Sequence, residues 1–355
     1  MASVRRDSGE TAARPAGPPA GLAGRSADSD EFSRLAYPFR RELLAHCYRM
    51  LGSVHDAEDL VQETYLRAWR YYDGFEGRSS LRTWLYRIAT STCLTALEHR
   101  NRRPLPAGLG APSRDPAGPL GEPGAEDWLE PLPDRLLRGD HPDPAAVVAL
   151  RGSLRLAFIA ALQHLPPRQR AALILRDVLE WPAAEVAGLL GTSTAAVNSA
   201  LQRARAQMAQ LAPVEEELAE PAEAESRALL DRYVTAFENA DLDALLQLLR
   251  EDSVLEMPPY HSWYAEREAI VAFLGAQCLD RPGKSRTVRT AANGQPALAV
   301  YMRAAEGVFR AQGLQVLTPS RAGISHIVAF LDPGVFRIFD LPPVLDSSVG
   351  VADRG

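Results

Sequence analysis

Two all-α modules followed by a smaller α+β domain are what this sequence predicts, on three observations. Helical periodicity fills residues 31–103 and 144–212. A run crowded with proline and glycine, PLPAGLGAPSRDPAGPLGEPG, separates those two blocks. From residue 226 a helix leads into alternating apolar runs, PALAVYMRA and ISHIVAFLD, bounded by Gly and Pro as strands are. The 355 residues exceed one ordinary domain, and 46% apolar content is enough to build real cores. The division is therefore a disordered tail (1–30), a first helical module (31–103), a linker that sustains neither helix nor sheet (104–143), a second helical module (144–212), an acidic linker (213–225) and the α+β domain (226–345). No internal repeat stands out.

Composition removes several classes. No run of 18 apolar residues exists, and no apolar segment follows the two N-terminal arginines, so neither a membrane span nor a secretory signal is expected, and the protein is expected in the cytoplasm. Cys47, Cys93 and Cys278 stand alone, which reads as buried thiols. His46–Cys47 is too poor a ligand set for zinc, and no metal or cofactor is expected. The net charge of −6 averages unlike parts: residues 78–103 carry six arginines against one glutamate, whereas residues 215–225 hold six glutamates. Local charge decides where a polyanion docks.

In the first module, DAEDLVQETYLRAW (56–69) places Leu60, Val61, Tyr65, Ala68 and Trp69 at helical spacing, an expected buried stripe. Asp56, Asp59 and Glu63 form an acidic face, which is either a solvated surface or an interface. In RSSLRTWLYRIATSTCLTALEHRNRR (78–103), Ser79 or Ser80 caps a helix whose inner stripe is Leu81, Trp84, Leu85, Ile88 and Thr92. Arg82, Arg87 and Ser91 point elsewhere, and a basic cluster of Arg100, Arg102 and Arg103 follows. Cations beside aromatics suit single-stranded DNA, because charge tracks phosphate while rings stack on bases; core aromatics with a solvated rim give the same pattern.

The second module is sharper. PAAEVAGLL is followed by Gly191, a turn residue free to take positive φ, and Ser193 or Thr194 caps a further helix with inner stripe Val197, Ala200, Leu201, Ala204 and Met208. This is helix-turn-helix spacing, in which the second helix enters the major groove by its N-terminal end. Its outward residues are Ala195, Ala196, Asn198, Ser199, Gln202 and Arg203. Asn and Gln read adenine, Arg pairs with guanine, and alanine touches a thymine methyl. Arg168 and Arg205 suit phosphate contacts.

With both modules in view, the chain resembles the sigma-70 family. RRELLAHCYRMLGSVHDAEDLVQETYLRAWR looks like region 2, RSSLRTWLYRIATSTCLTAL like its promoter-melting continuation, and LPPRQRAALILRDVLEW with the helix-turn-helix like region 4. The spacing leaves no room for regions 1 or 3, so the likeness is to the extracytoplasmic-function group. WLEPLPD (128–134) and the C-terminal domain resemble the subgroup carrying a SnoaL-like, NTF2-type domain. The resemblance implies a transcription initiation factor whose partners are core RNA polymerase and promoter DNA. Asp56, Glu58, Asp59, Leu60, Val61, Gln62 and Glu63 would bind the polymerase clamp helices. Tyr72, Phe75, Arg78, Arg82, Arg87, Ser91, Arg100, Arg102 and Arg103 would open and hold the −10 element. Arg168, Ser193, Thr194, the six outward residues named above and Arg205 would read the −35 element. Many relatives carry Asn at the place of Ser91 and Asp at that of Thr95, so the −10 preference would differ here.

The third module opens with LLDRYVTAFENADLDALLQLLREDSVLEMPP, which resembles an NTF2-like cone: helices around Tyr233 and Leu245, then an extended run from Val254 to Met257. Such cones enclose an apolar pocket. Tyr233, Met257, His261, Trp263, His326 and Phe330 are candidate pocket residues, and Asp252, Glu256, His261 and His326 candidate acid/base groups, though none has diagnostic spacing. The expectation for this domain is a built-in regulator contacting the helical modules or the linker, with a separate anti-sigma protein left open. Two other readings compete: a SnoaL-like enzyme or small-molecule sensor delivered to DNA, and a plain helix-turn-helix repressor, which leaves the acidic face unexplained.

Overall fold

The computed structural model describes residues 31–77, 79–98, 100, 102–138, 151–211 and 223–345. In the first module α1 (Arg40–Leu51), α2 (Val54–Arg70) and α3 (Leu81–Leu97) pack on one another. Gly52 ends α1 at φ 71, and Ser53 caps α2 by accepting from the Asp56 N–H. Ser80, of the two predicted serines, caps α3 through the Thr83 N–H. The inner face of α2 differs from expectation: it is Val54, Ala57, Val61, Thr64 and Ala68, while Leu60 and Tyr65 are half-buried and Trp69 is 45% exposed. Small residues line the seam because α1 and α3 approach closely there. On α3 the buried set is Leu85, Tyr86, Ala89, Thr90, Thr92 and Cys93, with Leu81, Trp84 and Ile88 half-buried at its rim.

The second module contains α4 (Leu156–Gln163), α5 (Pro167–Leu173), a wide turn at Ile174–Val178, α6 (Ala183–Leu190) and α7 (Thr194–Leu211). Pro182 immediately precedes α6, Gly191 turns the chain at φ 61, and Ser193 accepts from the Ala196 N–H. Of the predicted inner stripe of α7, Val197, Leu201, Ala204 and Met208 are buried and Ala200 is half-buried.

The C-terminal domain comprises α8 (Glu223–Glu238), α9 (Leu242–Leu248), β1 (Leu249–Glu256), β2 (Trp263–Ala265), α10 (Arg267–Gln277), β3 (Ser285–Ala292), β4 (Gln295–Arg303), β5 (Phe309–Ser320), β6 (Gly323–Phe330), the turn of helix α11 (Val335–Ile338) and β7 (Val344–Leu345). The sheet runs β2-β1-β6-β5-β4-β3, antiparallel except for β1 against β6, and β7 extends the β5 edge at Phe309 and Arg310. Period-two alternation gives the sheet two apolar faces. Leu298, Val300, Leu317, Ile327 and Ala329 pack on the domain's own helices. Ala297, Ala299, Tyr301, Val316, Val328 and Phe330 face the other way, into a core continuous with both helical modules.

Residues 102–138 are ordered despite their composition. Single 3-10 turns occur at Pro106–Gly108 and Asp134–Leu136, and Pro133 bridges to Ala292 of β3. The linker is thus free of regular structure, as expected, and yet docked. Residues 139–150, with the predicted end of the first linker, residues 212–222, with most of the acidic linker, and the tail 1–30 lie outside the described residues; the last three residues assigned to the acidic linker, 223–225, belong instead to α8.

Candidate functional site

Within the first module the acidic face of α2 is partly neutralised by its own chain. Asp56 pairs with Arg100 and, at 2.8 Å, with Arg103; burial opposes its ionisation, but hydrogen bonds and charge from these arginines outweigh that and hold its pKa below the ordinary value. Glu58 meets Arg40 at 3.3 Å and Glu63 meets Arg67 at 2.6 Å. Asp59 and Gln62 are exposed, and Asp59 forms no ion pair among the described residues. Val61, expected at the polymerase surface, is 1% exposed and belongs to the core, and Leu60 is half-buried. Sequence reasoning missed Leu66, Trp69 and Tyr71, which stand exposed beside Asp59 and Gln62 on and just past α2. Only the packing of α1 and α3 leaves them uncovered.

The loop after α2 brings aromatics together. Tyr72 stacks on Phe75 with ring centroids 6.3 Å apart, and Phe75 lies 4.9 Å from Trp84. Arg82 donates to Glu42 at 2.8 Å and lies over the Tyr86 ring, while Arg87 and Ser91 are exposed on α3. Arg100 and Arg103 are held by Asp56, and Arg102 meets His164 at 2.9 Å and donates to the Gly108 carbonyl, so each arginine of this cluster has a partner within the chain although Arg100 and Arg102 stay exposed. Arg78 lies outside the described residues.

In the second module Thr194, Ala195, Ala196, Asn198, Ser199, Gln202 and Arg203 form one exposed face at the N-terminal end of α7. Two residues assigned to phosphate have internal partners instead. Arg205 makes a bidentate pair with Asp177 at 2.7 and 2.8 Å, and Arg168 donates to the Leu190 carbonyl, closing the C-terminal end of α6. The α7 face is also not turned wholly outward: Ala196, Ala200 and Arg203 line a cleft of about 530 Å3 whose opposite wall is Leu94 and Glu98 at the end of α3.

Buried polar groups lock the modules together. Arg170 of α5, 3% exposed, donates to the carbonyls of Met50, Gln163 and Leu165 and to Gln163 Oε1; burial pulls its pKa down to about 10. Arg49 of α1, likewise pulled down to about 10 by burial, donates to Ser153 Oγ at 2.7 Å. Trp181 packs edge-on to Tyr86. The tip of the β3–β4 hairpin completes the junction. Asn293 is fully buried at φ 58, a conformation Asn tolerates and an Asn-Gly hairpin turn requires. Its Oδ1 accepts from the Leu132 N–H, and its Nδ2 donates to Tyr48 Oη and to the Leu154 carbonyl, each at 2.8 Å. Gly294 N–H donates to Asp134, and Gln295 accepts from the Leu156 N–H. A Cβ on Gly294 would lie 3.0 Å from Arg151 Cβ, so glycine is required by the close approach as well as by φ. Three consecutive residues thus bind the first module, the linker and the start of the second module.

The candidate pocket residues have other duties. Tyr233, Met257 and Phe330 are core, with Tyr233 Oη donating to Gln315. His261 pairs with Glu126 and packs on Trp128; Trp263 donates to the Gly110 carbonyl at 3.1 Å; His326 meets the buried Glu256 at 2.8 Å, whose other oxygen accepts from the Ala107 N–H at 2.6 Å. Asp252 is an exposed partner of Arg250. Three of the six candidates therefore contact or adjoin the docked linker. Among the described residues no three His, Cys, Asp or Glu side chains gather as a metal site, and no helix is long and apolar enough to cross a membrane.

A polymerase-type acidic helix, a base-reading helix-turn-helix and a cone-like α+β domain in this order define a sigma-70 family protein with a C-terminal extension. Comparison agrees: residues 37–103 match Sigma-70 region 2, residues 155–208 match Sigma-70 region 4, and residues 230–328 match the SnoaL-like domain. The chain belongs to the extracytoplasmic-function RNA polymerase sigma factors, transcription initiation factors that direct the polymerase to promoters. It is 56% identical over 317 residues to the ECF RNA polymerase sigma factor SigG of Mycobacterium tuberculosis, covering 89% of this chain and 85% of that one. It is 34% identical over 216 residues, 60% of each chain, to SigJ of the same organism. The crystal structure of SigJ aligns over 89% of this chain and 99% of its own, with a TM-score of 0.56 and 25% identity.

Proposed function

We propose that this sigma factor engages core polymerase through Asp59, Gln62 and the exposed apolar residues beside them, opens the −10 element with the Tyr72–Phe75–Trp84 aromatic group and Arg87, and reads the −35 element with Asn198, Ser199, Gln202 and Arg203. The observation that carries the assignment is the exposed face of Asn198, Ser199, Gln202 and Arg203 at the N-terminal end of α7, set after a Gly191 turn at φ 61. It works where the polymerase works, in the cytoplasm, as a transcription initiation factor. Reconstituted holoenzyme in run-off transcription starts at defined sites, and substitution of Gln202 or Arg203 changes base preference at −35 alone. Starts that are absent, or indifferent to those substitutions, overturn the reading.

We further infer that the C-terminal domain is a regulator holding the factor closed. The −35 and −10 elements are about 25 base pairs apart by name, roughly 85 Å at ~3.4 Å per pair. Here the C-terminal end of α3 and the N-terminal half of α7 line one cleft, and the modules are held together by Arg170, Arg49 and the Asn293 junction. A molecule in that arrangement does not span a promoter. Opening requires the hairpin tip to leave Tyr48 and Leu154, so the strength of that junction sets how much factor is available to the polymerase.

A further inference from the structure

Between Ala107 and Gly124 the C-terminal domain's hydrogen bonds to the linker go to the linker's backbone. Glu256 takes the Ala107 N–H, Trp263 Nε1 the Gly110 carbonyl, Tyr264 Oη the Asp115 carbonyl, Gln277 Nε2 the carbonyls of Ala117 and Gly118, and Ser262 Oγ that of Leu120. Backbone groups add the Ser113 N–H to Trp263 and the Gly124 N–H to Pro259. Side chains enter at Leu120, which packs on the domain's core, at Glu126 and Trp128 against His261, and at Asp134 and Arg135, which meet the Gly294 N–H and Asp340. The two tripeptides lie in turns here, and a groove that reads the backbone of such turns favours small side chains, which a proline- and glycine-rich segment offers with little ordering cost.

The linker residues in this groove carry a tripeptide twice: Pro106-Ala107-Gly108, which supplies the N–H to Glu256, and Pro116-Ala117-Gly118, which supplies both carbonyls to Gln277. Pro-Ala-Gly occurs at two other places in the chain, Pro15-Ala16-Gly17 and Pro19-Ala20-Gly21, both in the N-terminal segment outside the described residues. The match extends to Pro-Ala-Gly-Leu at 106–109 and 19–22. These four copies constitute a short repeat too brief for domain-scale periodicity to reveal.

We propose that residues 14–24 are an alternative occupant of this groove, competing with linker residues 105–120 for Glu256 and Gln277. Occupation by the N-terminal segment frees the linker, and with it the attachment that keeps the modules closed; this consequence rests on the regulatory reading above, but the competition itself does not. Tethering raises the effective concentration of the segment at the groove, so weak intrinsic affinity suffices.

The test compares the full chain with a chain lacking residues 2–25, by hydrogen exchange of linker amides 105–112 and 116–121. The deletion is expected to slow exchange there at least tenfold. A labelled peptide of residues 14–25 binds the deletion chain, a scrambled peptide does not, and Gln277→Ala or Glu256→Leu weakens binding at least fivefold. Two variants are used because Glu256 is buried and its replacement risks the fold, whereas Gln277 lies at the end of α10. Undetectable peptide binding, or binding indifferent to both substitutions, overturns the shared groove. Binding in trans with linker exchange unchanged by the deletion overturns occupation within the chain. Transcription is not a readout here, so failure of the closed-state reading shows separately, as unaltered run-off from Asn293→Asp with these exchange results intact.

Discussion

At the scale of single residues, burial decides which polar groups are structural and which are available. His46 is fully buried on α1, shares a hydrogen bond with Thr90, and burial together with the Arg49 charge pushes its pKa down to about 3. Folded, it stays neutral where the unfolded chain binds a proton below 6.5, so stability is lost as pH falls from there toward 3. Between pH 7.5 and 5.5 that loss amounts to about 1.4 kcal/mol. His46→Gln, which keeps a partner for Thr90, flattens the dependence by that amount in denaturant titrations at the two pH values; an unchanged slope refutes the assignment. Asp56 adds to acid sensitivity lower down, since its depressed pKa makes its contribution present above 3.8 and lost as pH falls through the folded value. Asp59 behaves differently because it is exposed and forms no ion pair among the described residues. Asp59→Lys leaves circular dichroism and stability unchanged and weakens association with core polymerase at least tenfold, measured by equilibrium binding; unaltered affinity removes Asp59 from the interface.

At the scale of elements, the linker stabilises the helix it passes. Glu130 accepts from Ser53 Oγ at 2.9 Å, from the Val54 N–H at 2.8 Å and from the His55 N–H at 3.3 Å, placing a carboxylate at the N-terminal end of α2 where free N–H groups and the helix dipole favour negative charge. Glu130→Ala removes about 1.4 kcal/mol from that end, so amides of the first turn of α2 exchange roughly tenfold faster while those of α3 do not change. Equal exchange at both helices shows the contact to be incidental. The predicted stripe of α2 was rotated for a related reason. Periodicity located Val61 and Ala68 but gave weight to the bulky Leu60, Tyr65 and Trp69, whereas the seam also uses Ala57 and Thr64, small enough for neighbouring helices to approach. In α7, where only one face meets other helices, the same periodicity located every buried residue.

For the whole molecule, the Asn293 junction governs the balance between closed and open arrangements. Asn293→Asp keeps size and the tolerated positive φ but replaces a donor with an acceptor opposite the Leu154 carbonyl, costing about 3 kcal/mol in a buried setting. The expected result is a larger radius of gyration and several-fold higher run-off transcription at limiting factor. A compact variant with unchanged transcription counts against regulation by the C-terminal domain.

Helical periodicity, caps and turn residues are local, so the sequence alone determined the three modules, the helix-turn-helix and its outward residues, and the strand-rich C-terminal domain. Proline and glycine likewise established that the linker forms no regular element. Whether such a segment hangs free or docks depends on partners more than a hundred residues away, such as Glu256 for Ala107 and Asn293 for Leu132, and no local pattern encodes them. For the same reason only tertiary structure decided that Arg103 and Arg205 are spent on Asp56 and Asp177, and that the candidate pocket residues divide between core and linker contacts. A side chain's type is written in the chain, but the group that satisfies it is set by how distant segments pack.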